Sequence, residues 1–181
     1  MSRLDKIAAI TLTFSFVLLL GVLGSSYYLS RRPDSRSVPL VKTGETVRVP
    51  GFNAGAAKSV VVLVLSSGCH YCLDDLPFYK QLSAMRKSSG DSIHLLAVLP
   101  ERTTSAREFL ANAGIGADDV ISMSPRHLGV QVLPTLLLLN QQGKLQQYWV
   151  GELDRKQQQE VFSVLRKSCP ACSVPDAGGK S

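Results

Sequence analysis

The 181-residue sequence lacks internal repeats, and it has no run of Lys or Arg interleaved with aromatic residues. The first absence excludes a repeat architecture. The second argues against nucleic-acid binding despite the net charge of +6, because scattered basic residues form a solvated surface and not a binding patch. We therefore expect one domain of ordinary size with additional tails.

Charged residues are also absent from Ile7 to Ser30, a segment that is apolar over most of its length. At about 1.5 Å of rise per residue, a helix of this length crosses a hydrocarbon core of about 30 Å. The segment has no convincing A-x-A cleavage site and is longer than the core of a usual signal peptide. We predict an N-terminal anchor over residues 1–30, with a transmembrane helix over about residues 7–28. A cleaved signal peptide is the alternative.

The basic residues on either side of this segment bear on its orientation. Arg3 and Lys6 precede it, and Arg31, Arg32 and Arg36 follow it. Positive-inside bias points weakly to a cytoplasmic domain, because long domains cross a membrane largely regardless of charge. Charge alone leaves the side of the membrane open.

Five strands are predicted beyond a Pro-containing stretch at residues 31–50, which reads as a linker and an early extended segment. The run SVVVLVL lacks alternation, which is typical of a strand buried on both faces. IHLLAVL predicts a second strand and DVISM a short third one. TLLLLN and KLQQYWVG predict an antiparallel hairpin around a Gln-Gln-Gly turn.

Helices are predicted between and after these strands. Apolar residues follow the first strand at helical spacing, and TTSAREFLANAG predicts a second helix with Thr103, Thr104 or Ser105 as N-cap and Gly114 as its stop. Asp154 is a candidate cap for a last helix. This order predicts an α/β domain over residues 51–168, a mixed sheet with helices on both faces. Residues 169–181 are expected to form a flexible, cysteine-containing tail.

Two cysteines lie where the first strand ends and a helix begins, in the sequence SSGCHYCLDD. A helix N-terminus stabilises a thiolate, so Cys69 is the expected nucleophile. Cys72, one turn further on, is placed to attack the mixed disulfide and release the substrate. His70 between them would favour the thiolate when protonated, or is simply an exposed spacer.

The second pair, Cys169 and Cys172 in CPAC, leaves alternatives open. It is either a local disulfide or a second redox pair that exchanges electrons with Cys69 and Cys72. The four cysteines together are also a candidate zinc site, although their separation is far from the compact spacing of zinc ribbons. An even number of cysteines in adjacent pairs indicates an oxidising compartment.

The domain resembles the thioredoxin superfamily, and more narrowly the membrane-anchored bacterial thiol–disulfide oxidoreductases of the ResA and TlpA kind. The resemblance covers about residues 41–167 and rests on the buried strand, the Cys-His-Tyr-Cys motif, Pro77 and the sequence GVQVLPT. It implies that Pro77 kinks the active-site helix and that Pro134 is a cis-proline facing the cysteines. It also implies that the Leu133 backbone can pair with an extended substrate peptide. Gly143 and Gly151 match the hairpin turn and the glycine after the last strand.

The sequence departs from thioredoxins proper at two places, and at a third it has a shorter acid than the narrower group. Leu63 replaces a buried Asp, and Gly68 replaces the Trp before the first cysteine. The ResA and TlpA kind place a Glu three residues after the second cysteine, where this chain has Asp75. Asp75 is therefore a candidate acceptor of the Cys72 proton, or else an acid that, like Asp74, merely suits the first helical turn.

These features predict a membrane-anchored thiol–disulfide oxidoreductase that needs neither a metal nor an organic cofactor. The resemblance implies a domain on the periplasmic or extracytoplasmic side that reduces protein disulfides, such as those of apocytochromes c, and is served by an upstream membrane electron donor. One alternative is a metal-binding or metal-delivery protein that uses Cys69, Cys72 and His70, with or without the pair Cys169 and Cys172. The other is a thioredoxin-like interaction module without redox activity.

Overall fold

The computed structural model describes residues 42–50 and 57–169. The predicted anchor over residues 1–30, part of the linker and the residues after Cys169 lie outside these ranges. Within the described residues, no helix is long and apolar enough to cross a membrane.

A five-stranded mixed sheet forms the centre of the domain. Its strands are β1 Ser59–Val64, β2 Ile93–Leu99, β3 Asp119–Ser122, β4 Thr135–Asn140 and β5 Leu145–Val150, and they follow the order β3-β2-β1-β4-β5 across the sheet. Neighbours β1, β2 and β3 are parallel, and β4 runs antiparallel to both β1 and β5. All five predicted strands are confirmed.

The predicted hairpin between β4 and β5 is also confirmed. Gly143 closes its turn with a positive φ of 73°, a conformation that glycine adopts without steric penalty. The Gly143 N–H donates to the Asn140 carbonyl oxygen at 2.9 Å. The Gln-Gln-Gly sequence therefore sets the length and register of the hairpin.

Alternate residues of the central strands supply two hydrophobic cores, one on each face of the sheet. In β1, Val61 and Leu63 face the first core, whereas Val60, Val62 and Val64 face the second. All five are fully buried. The uninterrupted apolar run in β1 is thus explained by burial on both faces, as predicted.

The α-helices of the described residues all contribute to the first core. Both parallel crossovers run in the same direction along the sheet, so right-handed connections place their helices on the same face. The bounds are α1 His70–Asp74, α2 Leu76–Ser88, α3 Thr103–Asn112 and α4 Arg155–Ser168, with a 3-10 helix at Pro125–Leu128.

The second face has a different cover from the predicted layer of α-helices. Among the described residues it is covered by Leu128 of the 3-10 helix, by Val130 and by the extended segment that contains Val47 and Val49. This segment pairs with the hairpin, since the Val47 N–H donates to the Gly143 oxygen at 2.9 Å. Part of the stretch before residue 51 therefore belongs to the folded domain.

The helix ends agree with the sequence at two places and differ at a third. Asp154 forms the predicted cap of α4, in a reciprocal capping box with Gln157. The predicted N-cap of α3 is wrong, because the chain turns into the helix directly after Arg102, whose side chain makes no capping bond. Gly114 follows the end of α3 with a φ of 69° and is the predicted stop.

Candidate active site

Three connecting segments meet at one edge of the sheet. Val64, at the end of β1, pairs with Val98 in the parallel strand β2 and with Thr135 at the start of the antiparallel strand β4. The segments after β1, after β2 and before β4 consequently lie at the same edge. They carry the two cysteines, Glu101 and the Leu133–Pro134 bond.

Cys69 and Cys72 form a disulfide in the structure. Cys69 is the N-cap residue of α1, and its Sγ accepts a hydrogen bond from the Cys72 N–H at 3.2 Å. Cys69 is partly buried, whereas Cys72 is completely buried. A partner thiol can therefore reach only the Cys69 sulfur. The predicted division between an attacking and a resolving cysteine agrees with this difference in burial.

The first turn of α1 presents exposed side chains beside the disulfide. Tyr71 and Leu73 are 59% and 40% exposed and are the exposed large hydrophobic residues of the described chain. His70 lies 3.4 Å from Asp74, through Nε2 and Oδ2, and both side chains are open to solvent. An exposed pair of this kind contributes little to stability. The role predicted for His70, to favour the Cys69 thiolate when protonated, stays a prediction.

Asp75 lies between α1 and α2, and it is 3% exposed. Its Oδ2 accepts from the Leu153 N–H at 3.0 Å and from the Tyr79 hydroxyl at 3.4 Å, and its Oδ1 accepts from the Gln158 amide at 3.4 Å. Burial raises the pKa of this carboxyl above its usual range; the charge of Glu152 adds to the effect, and the three hydrogen bonds oppose it. Asp75 is thus a buried acid, unlike its exposed neighbour Asp74.

The helix break at Asp75 follows from Pro77, two residues further on. Proline has no N–H to donate to the Leu73 carbonyl oxygen, and the Asp75 N–H donates to that oxygen instead. Pro77 then lies in the first turn of α2, where a missing N–H is tolerated. The predicted kink of the active-site helix is present.

The Leu133–Pro134 peptide bond is cis, as the resemblance implies. Pro134 is buried, and its carbonyl oxygen accepts from the Gly151 N–H at 2.7 Å. Leu133 is partly buried and packs against the first core, as Cys69 does. Contact of the Leu133 backbone with a substrate stays a prediction.

The two positions that depart from thioredoxins proper have different surroundings. Leu63 is fully buried in the first core, so an apolar side chain there needs no polar partner. Gly68 has open space around it, because a Cβ added there would have no neighbour within 4 Å. The absence of a side chain at Gly68 is therefore not enforced by packing.

Glu101 was not predicted as a site residue, yet it contacts the loop in front of Cys69. Its Oε1 accepts from the Ser66 hydroxyl at 2.8 Å, the Ser67 N–H at 2.7 Å and the Ser67 hydroxyl at 2.8 Å. A usable signal was present in the sequence, since an acid two residues after a parallel strand lies at the edge where the preceding strand also ends.

The second cysteine pair is only partly described. Cys169, which the sequence assigns to the tail, is 4% exposed and packs in the first core at the end of α4. It is disulfide-bonded, whereas its predicted partner Cys172 lies outside the described residues. In the described ranges, no three His, Cys, Asp or Glu side chains are grouped so as to hold a metal ion.

These elements define a thioredoxin-like fold with a disulfide at the carboxyl edge of its central strand. Solved structures share this fold. A provisionally assigned thiol:disulfide interchange protein DsbE from Chlorobium tepidum is 22% identical with a TM-score of 0.54, and the match covers 69% of this chain and 99% of that one. A thiol-disulfide isomerase from Corynebacterium glutamicum is 16% identical with a TM-score of 0.52, and the match covers 71% of this chain and 93% of that one.

The thioredoxin domain of a thiol-disulfide oxidoreductase from Bacteroides vulgatus is similar to the same extent. It is 15% identical with a TM-score of 0.52, and the match covers 68% of this chain and 97% of that one. No family model matches the sequence, and no curated protein does. At these identities the structural matches show the fold, and the activity has to be argued from the site.

Proposed function

We propose that the protein is a thiol–disulfide oxidoreductase that exchanges disulfides with protein substrates through Cys69 and Cys72. The observation that carries this proposal is the bonded pair itself, in which Cys69 is partly exposed and Cys72 is completely buried. Such a pair presents a single sulfur to a partner and keeps the second in reserve to resolve the mixed disulfide.

In the reducing direction, the Cys69 thiolate attacks one sulfur of a substrate disulfide. The bond from Cys69 to that sulfur forms, the substrate disulfide breaks, and the departing substrate sulfur takes a proton. The Cys72 thiolate then attacks Cys69, which forms the Cys69–Cys72 disulfide and releases the second substrate thiol. Two electrons and two protons pass from the protein to the substrate, and a membrane electron donor would regenerate the dithiol.

Asp75 is the proposed acceptor of the Cys72 proton. It lies three residues after Cys72, is buried, and has a carboxyl pKa raised mainly by that burial. A raised pKa brings the carboxylate closer to the operating pH, which is where a general base works best. Three hydrogen bonds fix its orientation.

The proposed setting is a domain anchored by residues 1–30 and lying on the extracytoplasmic side of the membrane, where it reduces protein disulfides such as those of apocytochromes c. The uncharged segment from Ile7 to Ser30 and the resemblance to the ResA and TlpA kind support it. The exposed Tyr71 and Leu73 beside the disulfide offer apolar contact to a substrate segment.

Replacing Cys72 by Ala tests the activity directly. The variant should accumulate a mixed disulfide between Cys69 and a protein partner, because the resolving thiol is gone. Non-reducing gels and mass spectrometry would detect an adduct that dithiothreitol releases. The matched control is the double variant Cys69→Ser/Cys72→Ala, which should trap nothing. Absence of an adduct in the single variant, together with stoichiometric metal in the purified protein, would overturn the proposal in favour of metal delivery.

A further inference from the structure

Glu101 joins three strands at the edge where the disulfide lies. Its carboxylate accepts three hydrogen bonds of 2.7–2.8 Å from Ser66 and Ser67, and its carbonyl oxygen accepts from the Ser122 hydroxyl of β3 at 2.6 Å. The loop that follows β1 is thereby tied to the connection after β2 and to β3. Cys69 is connected to the same loop, because its N–H donates to the Ser66 oxygen at 3.2 Å.

Among the residues that the structure describes, no Lys, Arg or His forms an ion pair with Glu101. Its second oxygen, Oε2, is buried and has no hydrogen-bond partner among the described residues. Burial by itself raises the pKa of the Glu101 carboxyl, but the hydrogen bonds from Ser66 and Ser67 outweigh it and hold the pKa below the usual range. The carboxylate is therefore ionised at neutral pH. It accepts a hydrogen bond from the N–H of Ser67, which lies two positions before Cys69 in the sequence.

We propose that Glu101 is a positioning residue for disulfide exchange, which fixes the Ser66–Gly68 loop and makes the Cys69–Cys72 disulfide harder to reduce. Reduction adds two electrons and two protons to the disulfide and places a thiolate on Cys69 once the thiol ionises. A fixed negative charge hydrogen-bonded to the loop in front of Cys69 disfavours that thiolate, since like charges oppose ionisation. The inference rests on the proposed function and favours a reductant over an oxidant.

The test is the equilibrium of the full-length protein with reduced and oxidised glutathione, with the redox state of Cys69 read from alkylated peptides by mass spectrometry. Glu101→Gln keeps an oxygen for the serine donors but removes the charge. At pH 9, where a thiolate is populated even at the ordinary cysteine pKa of about 8.5, it should favour the dithiol by about threefold. That factor corresponds to about 14 mV for a two-electron couple.

Two further variants separate the effect of the Glu101 charge on the equilibrium from the effect of a disturbed loop. Glu108→Gln removes an equal charge from an exposed position on α3 and should leave the equilibrium unchanged. Glu101→Ala should shift the equilibrium toward the dithiol as Glu101→Gln does. It should also speed hydrogen exchange of the Ser67 amide, whereas Glu101→Gln should leave that exchange slow. Thermal unfolding would establish that each variant folds.

An equilibrium for Glu101→Gln and Glu101→Ala that matches Glu108→Gln would overturn the inference. Because glutathione replaces the protein substrate, this result would leave the proposed function standing. Failure of the wild-type disulfide to exchange with glutathione at all would instead count against the proposed function.

Discussion

The Asp75 carboxyl stands out at the level of single residues because it is buried among neutral donors. Its pKa is raised in the folded protein, so the stability it contributes is present below the ordinary value of 3.8 and is lost as the pH rises through the folded-state pKa. An ionised Asp75 thus lowers stability at neutral pH, which is consistent with a group kept for its chemistry.

Replacing Asp75 by Asn should separate stability from activity. The variant cannot ionise and keeps an oxygen for the Leu153 N–H, while Gln158 can turn its carbonyl oxygen toward the new amide. We expect a higher free energy of unfolding than wild type at pH 7, with the difference vanishing below pH 3.8. Urea unfolding across this pH range is the measurement.

Disulfide exchange by the same Asp75→Asn variant should slow by about 10²-fold, which is the lower end of the usual contribution of a general base. The matched variant Asp74→Asn removes an exposed acid from the adjacent position and should retain wild-type rates. Equal rates in the two variants would show that Asp75 is only structural.

Among the secondary-structure elements, α4 supports the site through its first turn. Leu153, just before the helix, donates to Asp75, and Gln158 bridges Asp75 and the Leu153 oxygen. The Asp154 capping box holds this turn in place, because the Asp154 carboxylate accepts from the Gln157 N–H at 2.8 Å and the Gln157 side chain accepts from the Asp154 N–H at 3.0 Å.

Loss of the Asp154 cap should therefore also change the rate of disulfide exchange at the active site. Asp154→Ala is expected to lower the free energy of unfolding by about 1 kcal/mol, and also to slow disulfide exchange, since the donors to Asp75 become less ordered. Asp91→Ala, at an exposed position before β2, is the control. The coupling between the α4 cap and the active site is disproved if Asp154→Ala is less stable but has the same exchange rate and pH profile as Asp91→Ala.

The elements were largely predictable, and the contacts between them were not. The apolar run of β1, the hairpin turn at Gly143 and the cap at Asp154 are local signals, and each was present in the structure. The strand order indicates at which edge of the sheet Glu101 lies, but its three hydrogen bonds cross more than thirty positions of sequence, and no local pattern identifies Ser66 and Ser67 as its partners. Asp75 was singled out by its spacing from Cys72, but its burial depends on Leu153 and Gln158, far along the chain.

What covers the second face of the sheet could likewise not be predicted from local sequence. The continuous apolar run of β4 indicates burial on both faces but does not say what packs there, and a layer of helices was the general expectation. The extended segment through Val47 and Val49 fills part of that role, and its pairing with the hairpin is a tertiary contact. Local sequence predicts the strands better than their neighbours.

For the whole molecule, the site and the predicted anchor together determine where the cysteines can act. Among the three described cysteines, Cys72 is completely buried and Cys169 is buried and disulfide-bonded, so Cys69 is the one that a reagent can reach once the active-site pair is reduced. Labelling of Cys69 in cells thus reports the side of the membrane on which the domain lies.

The proposed extracytoplasmic position can be tested with a membrane-impermeant thiol reagent on intact cells that have been treated briefly with a mild reductant. Wild type should gain a label on Cys69, identified by mass spectrometry of its peptide. In Cys69→Ser the remaining Cys72 thiol is buried, so labelling should drop to a small fraction. A cytoplasmic protein with an exposed cysteine serves as the control for membrane integrity. Labelling of Cys69 only after lysis would place the domain inside the cell, in agreement with the charges flanking Ile7 to Ser30 and against our proposal.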